Sequence, residues 1–457
     1  MRDLALILIF PYILVGIFKR PFIGIGLWIW TAMFFPNAWV YSFASVIRYN
    51  YFISLATIIS YTIKPKQKFK PDTLLFILFI FLFWTTLSSI FTIGEPDTVM
   101  EFWLRFLKIV TFYFFAVAIL EKKLHIDFVI WSLILSIGGY GSLEGTKYIL
   151  SGAGHTIEGF AEHALGDRNE LALAFVMMLP LIIYMAGQVR KSSIIWFGLI
   201  GMLFILIIAV LGTFSRGGFI GLSCVGGYFF LKSNKKLLML SLLPIPIVAA
   251  SFLLPETWFA RMNTIETAGT EDSSFLGRVI AWKLSLLQAI DHPFLGGGFK
   301  SITKPDNWFR YSDEFYKLDF IPTPDPDPKT PHAAHSIYFQ ILGEHGFVGL
   351  FLFLTILFLG FRNASYVIRS ASKNNCAAWI INLAKMIQVS MVAYCVSGAA
   401  LSFAYFDGYY VLLSILYSLR YRILPAEYNK QSDEPKQTKK QKKQRQLIKR
   451  AININRN

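Results

Sequence analysis

LLFILFIFLFWTTLSSIFTI, residues 74–93, runs for twenty residues without a charge. Residues 171–189, 192–214 and 237–255 are equally free of charged side chains. A helix needs about 20 such residues to cross the hydrocarbon core of a bilayer. The composition agrees. Of 457 residues, 55% are apolar and 16% aromatic, and the mean hydropathy is +0.51. Only 16% are charged, against roughly 25% in soluble domains. So little polar surface cannot clothe a soluble chain of this length. The expected fold is an all-α polytopic membrane protein, and a soluble enzyme or a secreted disulfide scaffold is excluded.

Working outward, thirteen apolar segments lie near 4–18, 21–35, 43–63, 74–93, 102–120, 125–150, 169–188, 192–213, 216–231, 237–254, 335–361, 377–401 and 406–420. The first two are short and could form a hairpin, so twelve spans are equally consistent. Basic clusters fill alternate connections: Lys19-Arg20, KPKQKFK (64–70), Lys122-Lys123, Arg190-Lys191, KSNKK (232–236), Arg362 to Lys373 and the C-terminal tail. This alternation places those connections and the C-terminus in the cytoplasm. No cleavable signal peptide is apparent, because the chain continues directly into further apolar segments. Of the net charge of +16, half lies between Lys430 and Asn457, where ten Lys/Arg face only Asp433 and Glu434. Such a polar tail is expected to be disordered and to lie near anionic lipid, with no nucleic-acid partner. Cys224 and Cys395 fall inside apolar spans and Cys376 in a basic loop, so they read as packing residues.

The expected organisation is an N-terminal transmembrane region (1–120), a central one (121–254), an outer loop (255–334), a C-terminal transmembrane region (335–424) and the basic tail (425–457). Residues 256–334 hold eleven acids and eight bases, unlike a cytoplasmic loop. Within them LGRVIAWKLSLLQAI (276–290) has apolar residues at 276, 280, 284, 287 and 290. This spacing predicts a surface helix with Arg278, Ser285 and Gln288 on another side. The prolines of IPTPDPDPKTP (321–331) make it a stiff extended connector. A structured loop of this size usually has a function.

Polar groups are costly near a membrane, so those present are functional candidates. GDRNE (166–170) sets Asp167, Arg168 and Asn169 at a helix start, and TFSRGG (213–218) sets Arg216 at an outer boundary. Arg278 lies on the loop helix, and HAAHSIYFQILGEHG (332–346) brings His332, His335 and Tyr338 to the next span. Arginines bind phosphate bidentately, and a histidine can take a proton from an attacking hydroxyl. The pattern fits an anionic, pre-activated donor such as a lipid-linked sugar pyrophosphate. Plainer roles exist: Arg216 snorkelling, Asp167 as a helix cap, Arg168 as a helix-end charge, Arg278 facing solvent, His335 as a structural hydrogen-bonder. Glu344 and His345 read as packing or pairing groups, and Glu144 with Lys147 as a helix-face ion pair. Asp325 and Asp327 are separated and followed by prolines, which favours a rigid linker over a metal site. The FLGGGF turn (294–299) is a chain reversal before it is a phosphate loop. No metal or other cofactor is expected.

TFSRGGFIGL, GRVIAWKLSLLQAIDHPFLGGGF and HSIYFQILGEHGFVGLFLFL together resemble the O-antigen ligase and polymerase superfamily over about residues 165–360. The opening MRDLALILIFPYILVGIFKRPFIGIGLWIWTAMFFPNAW is similar to O-glycosylation ligases associated with exosortase systems. The resemblance implies a C-type glycosyltransferase of the bacterial inner membrane. It would act at the periplasmic face on glycans carried by undecaprenyl pyrophosphate. Arg216 and Arg278 match arginines thought to hold the pyrophosphate, and His335 matches the catalytic histidine. In GDRNE, Asp167 and Asn169 match the family pattern better than Arg168 does. The acceptor would be a hydroxyl of lipid A core, a protein or a glycan. A polymerase that extends the lipid-linked glycan is the nearest alternative. A transporter of lipid-linked sugars is a further one.

Overall fold

The computed structural model describes residues 2–64, 69–160, 163–233, 236, 273–319 and 323–433. Among these the regular elements are helical. In chain order the α-helices are α1 (Arg2–Lys19), α2 (Pro21–Phe34), α3 (Ser42–Val46), α4 (Tyr49–Ile63), α5 (Thr73–Ile90) and α6 (Pro96–Ile119). There follow α7 (Lys123–Leu133), α8 (Gly139–Leu150), α9 (Arg168–Gln188), α10 (Ile194–Gly212) and α11 (Arg216–Lys232). The remainder are α12 (Ser273–Asp291), α13 (Pro305–Asp313), α14 (Ile337–Lys373), α15 (Ala378–Gly398), α16 (Asp407–Ser418) and α17 (Leu424–Asp433). A π turn, Ile134–Gly138, joins α7 to α8 without a break, and another, Leu419–Ile423, joins α16 to α17.

Seven of these are long and apolar enough to cross a membrane: α5, α6, the continuous α7–α8, α9, α10, α14 and α15. The thirteen expected spans are therefore not equal. Segments 4–18, 21–35, 216–231 and 406–420 form helices of 18, 14, 17 and 12 residues. Segment 43–63 breaks at Ile47–Arg48, where the backbone leaves the helical region, so only α4 continues. The expected span at 237–254, the first part of the outer loop and the tail beyond residue 433 lie outside the described residues.

Helix α9 is the hub. Its side chains from Leu171 to Ala186 are almost all buried, packed on α10, α11 and α15. Helix α10 turns apolar groups outward instead: Ile194, Phe197 and Phe204 are exposed, as lipid-facing positions should be.

The two ends of the bundle differ in chemistry. At one end gather the basic connections. The Lys123 ammonium lies 5.2 Å from the Trp379 ring, Tyr417 donates to the Lys70 carbonyl at 2.7 Å, and Arg420 bonds Asn363. At the other end lie the α5–α6 turn, residues 294–336, the starts of α9, α11 and α14, and the α15–α16 turn.

The outer loop has its own small core, in which Ile280, Leu284 and Leu287 of α12 meet Trp308, Tyr311 and Phe315. The other side of α12 is not at the surface as expected. Ser285 and Gln288 are buried, because this face packs on α14, where Gln288 Nε2 donates to the Gly343 carbonyl at 2.7 Å. Conversely Ile290, the last residue of the apolar stripe, is exposed. Residues 323–331 are irregular, as the prolines require.

Helix α14 kinks at Gly346, whose backbone (φ 69°, ψ −171°) is open only to glycine. The 294–299 turn fills the kink. Gly297 and Gly298 donate to the Gly343 and Glu344 carbonyls at 2.9 and 2.8 Å, and Phe347 donates to the Pro293 carbonyl at 2.9 Å. The turn is thus a chain reversal whose glycine N–H groups are committed to α14 and, for Gly296, to the His292 carbonyl rather than to a phosphate.

Candidate active site

Three helix starts converge at the end away from the basic connections. Asp167 caps α9, its Oδ1 accepting from the Asn169 N–H at 2.7 Å. Ser215 caps α11, its Oγ accepting from the Gly218 N–H at 3.2 Å, which makes Arg216 the first helical residue. Glycines then let α11 come close to its neighbours. A Cβ on Gly218 would stand 2.6 Å from the Ala172 Cβ, and one on Gly221 2.0 Å from Ser397 Oγ. The start of α11, which carries Arg216, is therefore packed between α9 and the end of α15.

His335 stands just before α14 with a left-handed backbone (φ 46°), and its N–H donates to Ser402 Oγ at 2.7 Å. Phe214 and Lys300 are also left-handed, at φ 55° and 56°. Non-glycine residues in this region cost about 1–3 kcal/mol each, and they cluster where function fixes the backbone. Three of them fall around one site.

The charges of this end act on one another. Arg278 is half-buried on α12. Burial lowers its pKa most, the Arg216 charge lowers it further, and Asp167 opposes both. It still remains cationic at neutral pH. For His335, burial is again the largest influence, followed by Arg278. His332 and Lys300 push the same way and Asp167 the opposite way, so its pKa falls below the ordinary histidine range. A lowered pKa leaves the imidazole neutral near pH 7, the form that accepts a proton. Arg216, Arg278, Asp167 and His335 thus form one electrostatic unit.

The remaining sequence candidates fall around it unevenly. His332 is exposed and stands edge-on to Trp308 at 5.6 Å, near enough for its charge to bear on His335. The Tyr338 hydroxyl donates to the Cys395 carbonyl of α15 at 3.1 Å. Arg168 opens α9 and makes no ion pair among the described residues, and Asn169 is tied to Asp167 through its backbone.

Several groups were not legible in advance. Ser402 is an unremarked serine in an apolar turn. Lys300 directly follows the GGGF glycines, and its N–H donates to Glu344 Oε1 at 3.0 Å. Glu344 accepts from the Tyr405 hydroxyl at 2.6 Å, and Tyr405 is 2.7 Å from His345 Nε2, while His345 Nδ1 lies 2.9 Å from Ser88 Oγ. This buried chain assigns His345 and Glu344 to holding the kink and Lys300 in place. Glu144 and Lys147 form the expected ion pair at 2.6 Å, joined by His155 Nε2 at 2.6 Å, which sequence reading missed.

Beside His335, sharing Ser402 and Lys300, lies a cavity of about 450 Å³ between α2, α6 and the α15–α16 turn. Its volume is that of a small-molecule site.

Residues 201–354 match the O-antigen ligase family, and residues 1–191 match a family of unknown function (DUF5935). No curated protein matches the chain. The first match contains Arg216, Arg278 and His335; Asp167 lies within the second.

Proposed function

We propose, from the match of residues 201–354 to the O-antigen ligase family, that the chain transfers a preassembled glycan from undecaprenyl pyrophosphate to an acceptor hydroxyl. The supporting observation is the convergence of Arg216, Arg278, Asp167 and His335 on one end of the bundle. Arg216 and Arg278 bind the pyrophosphate and neutralise the charge that grows on it as the sugar–phosphate bond breaks, a contribution usually among the largest in catalysis. His335, neutral, takes the proton from the acceptor hydroxyl as its oxygen attacks the anomeric carbon. The products are the new glycoside, undecaprenyl pyrophosphate and a proton passed from His335 to water. A single displacement inverts the anomeric configuration. Asp167 positions the pair, since its charge bears on both Arg278 and His335. The donor is already activated, so no metal is called for.

The basic connections share the opposite end, and the positive-inside rule makes that end cytoplasmic. The site then faces the periplasm across the bacterial inner membrane. The acceptor is lipid A core, a protein or a glycan. The test supplies purified protein with an undecaprenyl-pyrophosphate-linked glycan and candidate acceptors, and resolves products by mass. Glycosylated acceptor supports ligation, whereas a ladder of longer lipid-linked glycans supports the polymerase.

A further inference from the structure

Four polar side chains meet inside the bundle: Ser88 of α5, Glu344 and His345 of α14, and Tyr405 between α15 and α16. Ser88, Glu344 and His345 are buried. Aromatic rings crowd them, with Phe299 4.6 Å from His345 and 5.0 Å from Tyr405, and Phe106 5.2 Å from Tyr405. Apolar side chains of the same shape would join these elements about as firmly, because buried polar groups give back most of their bond energy as desolvation. What a satisfied polar network adds is a single fixed arrangement of the parts it joins. The parts here are the start of α14 and residues 399–406.

Residues 399–406 lie between two helices and belong to neither, so their backbone groups need partners from outside. The Glu344 carboxylate serves them with both oxygens. Oε2 accepts from the Tyr405 hydroxyl at 2.6 Å. Oε1 accepts from the Gln340 amide at 3.4 Å, and the Gln340 oxygen in turn accepts from the Ala404 N–H at 3.2 Å. His345 Nε2, 2.7 Å from the Tyr405 oxygen, ties the same hydroxyl through Nδ1 to Ser88 of α5 at 2.9 Å. Ser402, which accepts the His335 N–H at 2.7 Å, comes three residues before Tyr405. The Gln340 N–H donates to the carbonyl of Ser336, the neighbour of His335, at 2.8 Å. His335 and its anchor are the open ends of one clamp, and Glu344 and Tyr405 close it.

We infer that Tyr405 is a positioning residue for His335: its hydroxyl, held by Glu344 and His345, sets residues 399–406 on α14 so that Ser402 meets the His335 N–H. Tyr405 acts through Ser402 and not on substrate. The alternative is direct contact with substrate, since Tyr405 also lines the cavity beside His335.

The inference rests on His335 being the base, but its first test needs no turnover. Full-length protein in detergent, with isotope-labelled histidine rings, gives the His335 resonance as the one missing from His335→Gln. Ser402→Ala should move that resonance, and Tyr405→Phe should move it the same way. The double variant should stand where Ser402→Ala alone stands. Gln340→Leu, which cuts the other arm of the clamp, should act as Tyr405→Phe does. Tyr113→Phe removes a buried α6 hydroxyl that has no hydrogen-bond partner among the described residues, and should move nothing. A His335 resonance that Tyr405→Phe leaves in place overturns the inference, and so does a double variant showing the sum of the two single shifts. In transfer, Tyr405→Phe should lower kcat about tenfold or more, the effect of a slightly misplaced group, with KM unchanged and no further loss in the Ser402→Ala background. A loss in KM instead makes Tyr405 a substrate contact and overturns the inference. Coupled resonances in a wild-type protein that transfers no glycan strike the transferase reading alone.

Discussion

Among the described residues His335 is held by its backbone, through a left-handed φ of 46° and one hydrogen bond to Ser402. This leaves the imidazole to the substrate. His335→Ala should reduce transfer by about 10²–10⁴-fold, the usual worth of a positioned base, without lowering the unfolding temperature. The pH dependence follows from the direction of the shift. The folded pKa lies below the ordinary histidine value, so the active neutral form persists into mildly acid solution. Activity should fall only as pH drops through that lowered pKa, and a rate profile against pH reads it directly. Ser402→Ala removes the backbone anchor and should cut kcat more than KM, since it misplaces the base without touching the pyrophosphate. At this scale the sequence was most informative about charge. Arg216, Arg278, Asp167 and His335 stand out because charge is rare beside apolar spans. Ser402 and Lys300 do not, because their role comes from the turns that carry them.

Helix α14 and the 294–299 turn make one element of the site. The kink at Gly346 frees carbonyls that Gly297 and Gly298 then satisfy, and a Cβ on Gly346 would stand 2.4 Å from the Phe294 carbonyl oxygen. Gly346→Ala combines that clash with a forbidden backbone and should destabilise the protein by about 2 kcal/mol or more. Gly226→Ala is the control. It has open space around it and sits inside α11, so the substitution should be neutral or stabilise by about 0.5–1 kcal/mol. Thermal unfolding of the two variants separates them. The apolar stripe of α12 was legible as helical periodicity, yet the helix is not a surface one. Periodicity reports one buried face; the burial of Ser285 and Gln288 comes from a tertiary partner, α14, which no local pattern reveals.

On the scale of the molecule, apolar run lengths and alternating basic connections were enough for a polytopic helical bundle. Run length alone did not separate the seven helices long and apolar enough to cross a membrane from a shorter apolar one such as α2. The two chemically distinct ends predict an orientation. In a variant lacking Cys224, Cys376 and Cys395, Ala164→Cys and Asn374→Cys both occupy exposed positions, at opposite ends. An impermeant thiol reagent applied to spheroplasts should label Ala164→Cys and spare Asn374→Cys. The reverse pattern would invert the topology and remove the site from the periplasm.

The most direct test reconstitutes wild-type protein and His335→Ala in liposomes with an undecaprenyl-pyrophosphate-linked glycan and a hydroxyl acceptor, and follows all products by mass. The wild type should release one undecaprenyl pyrophosphate for each glycan joined to acceptor, and folded His335→Ala should release almost none. Wild-type rates from His335→Ala would contradict the account.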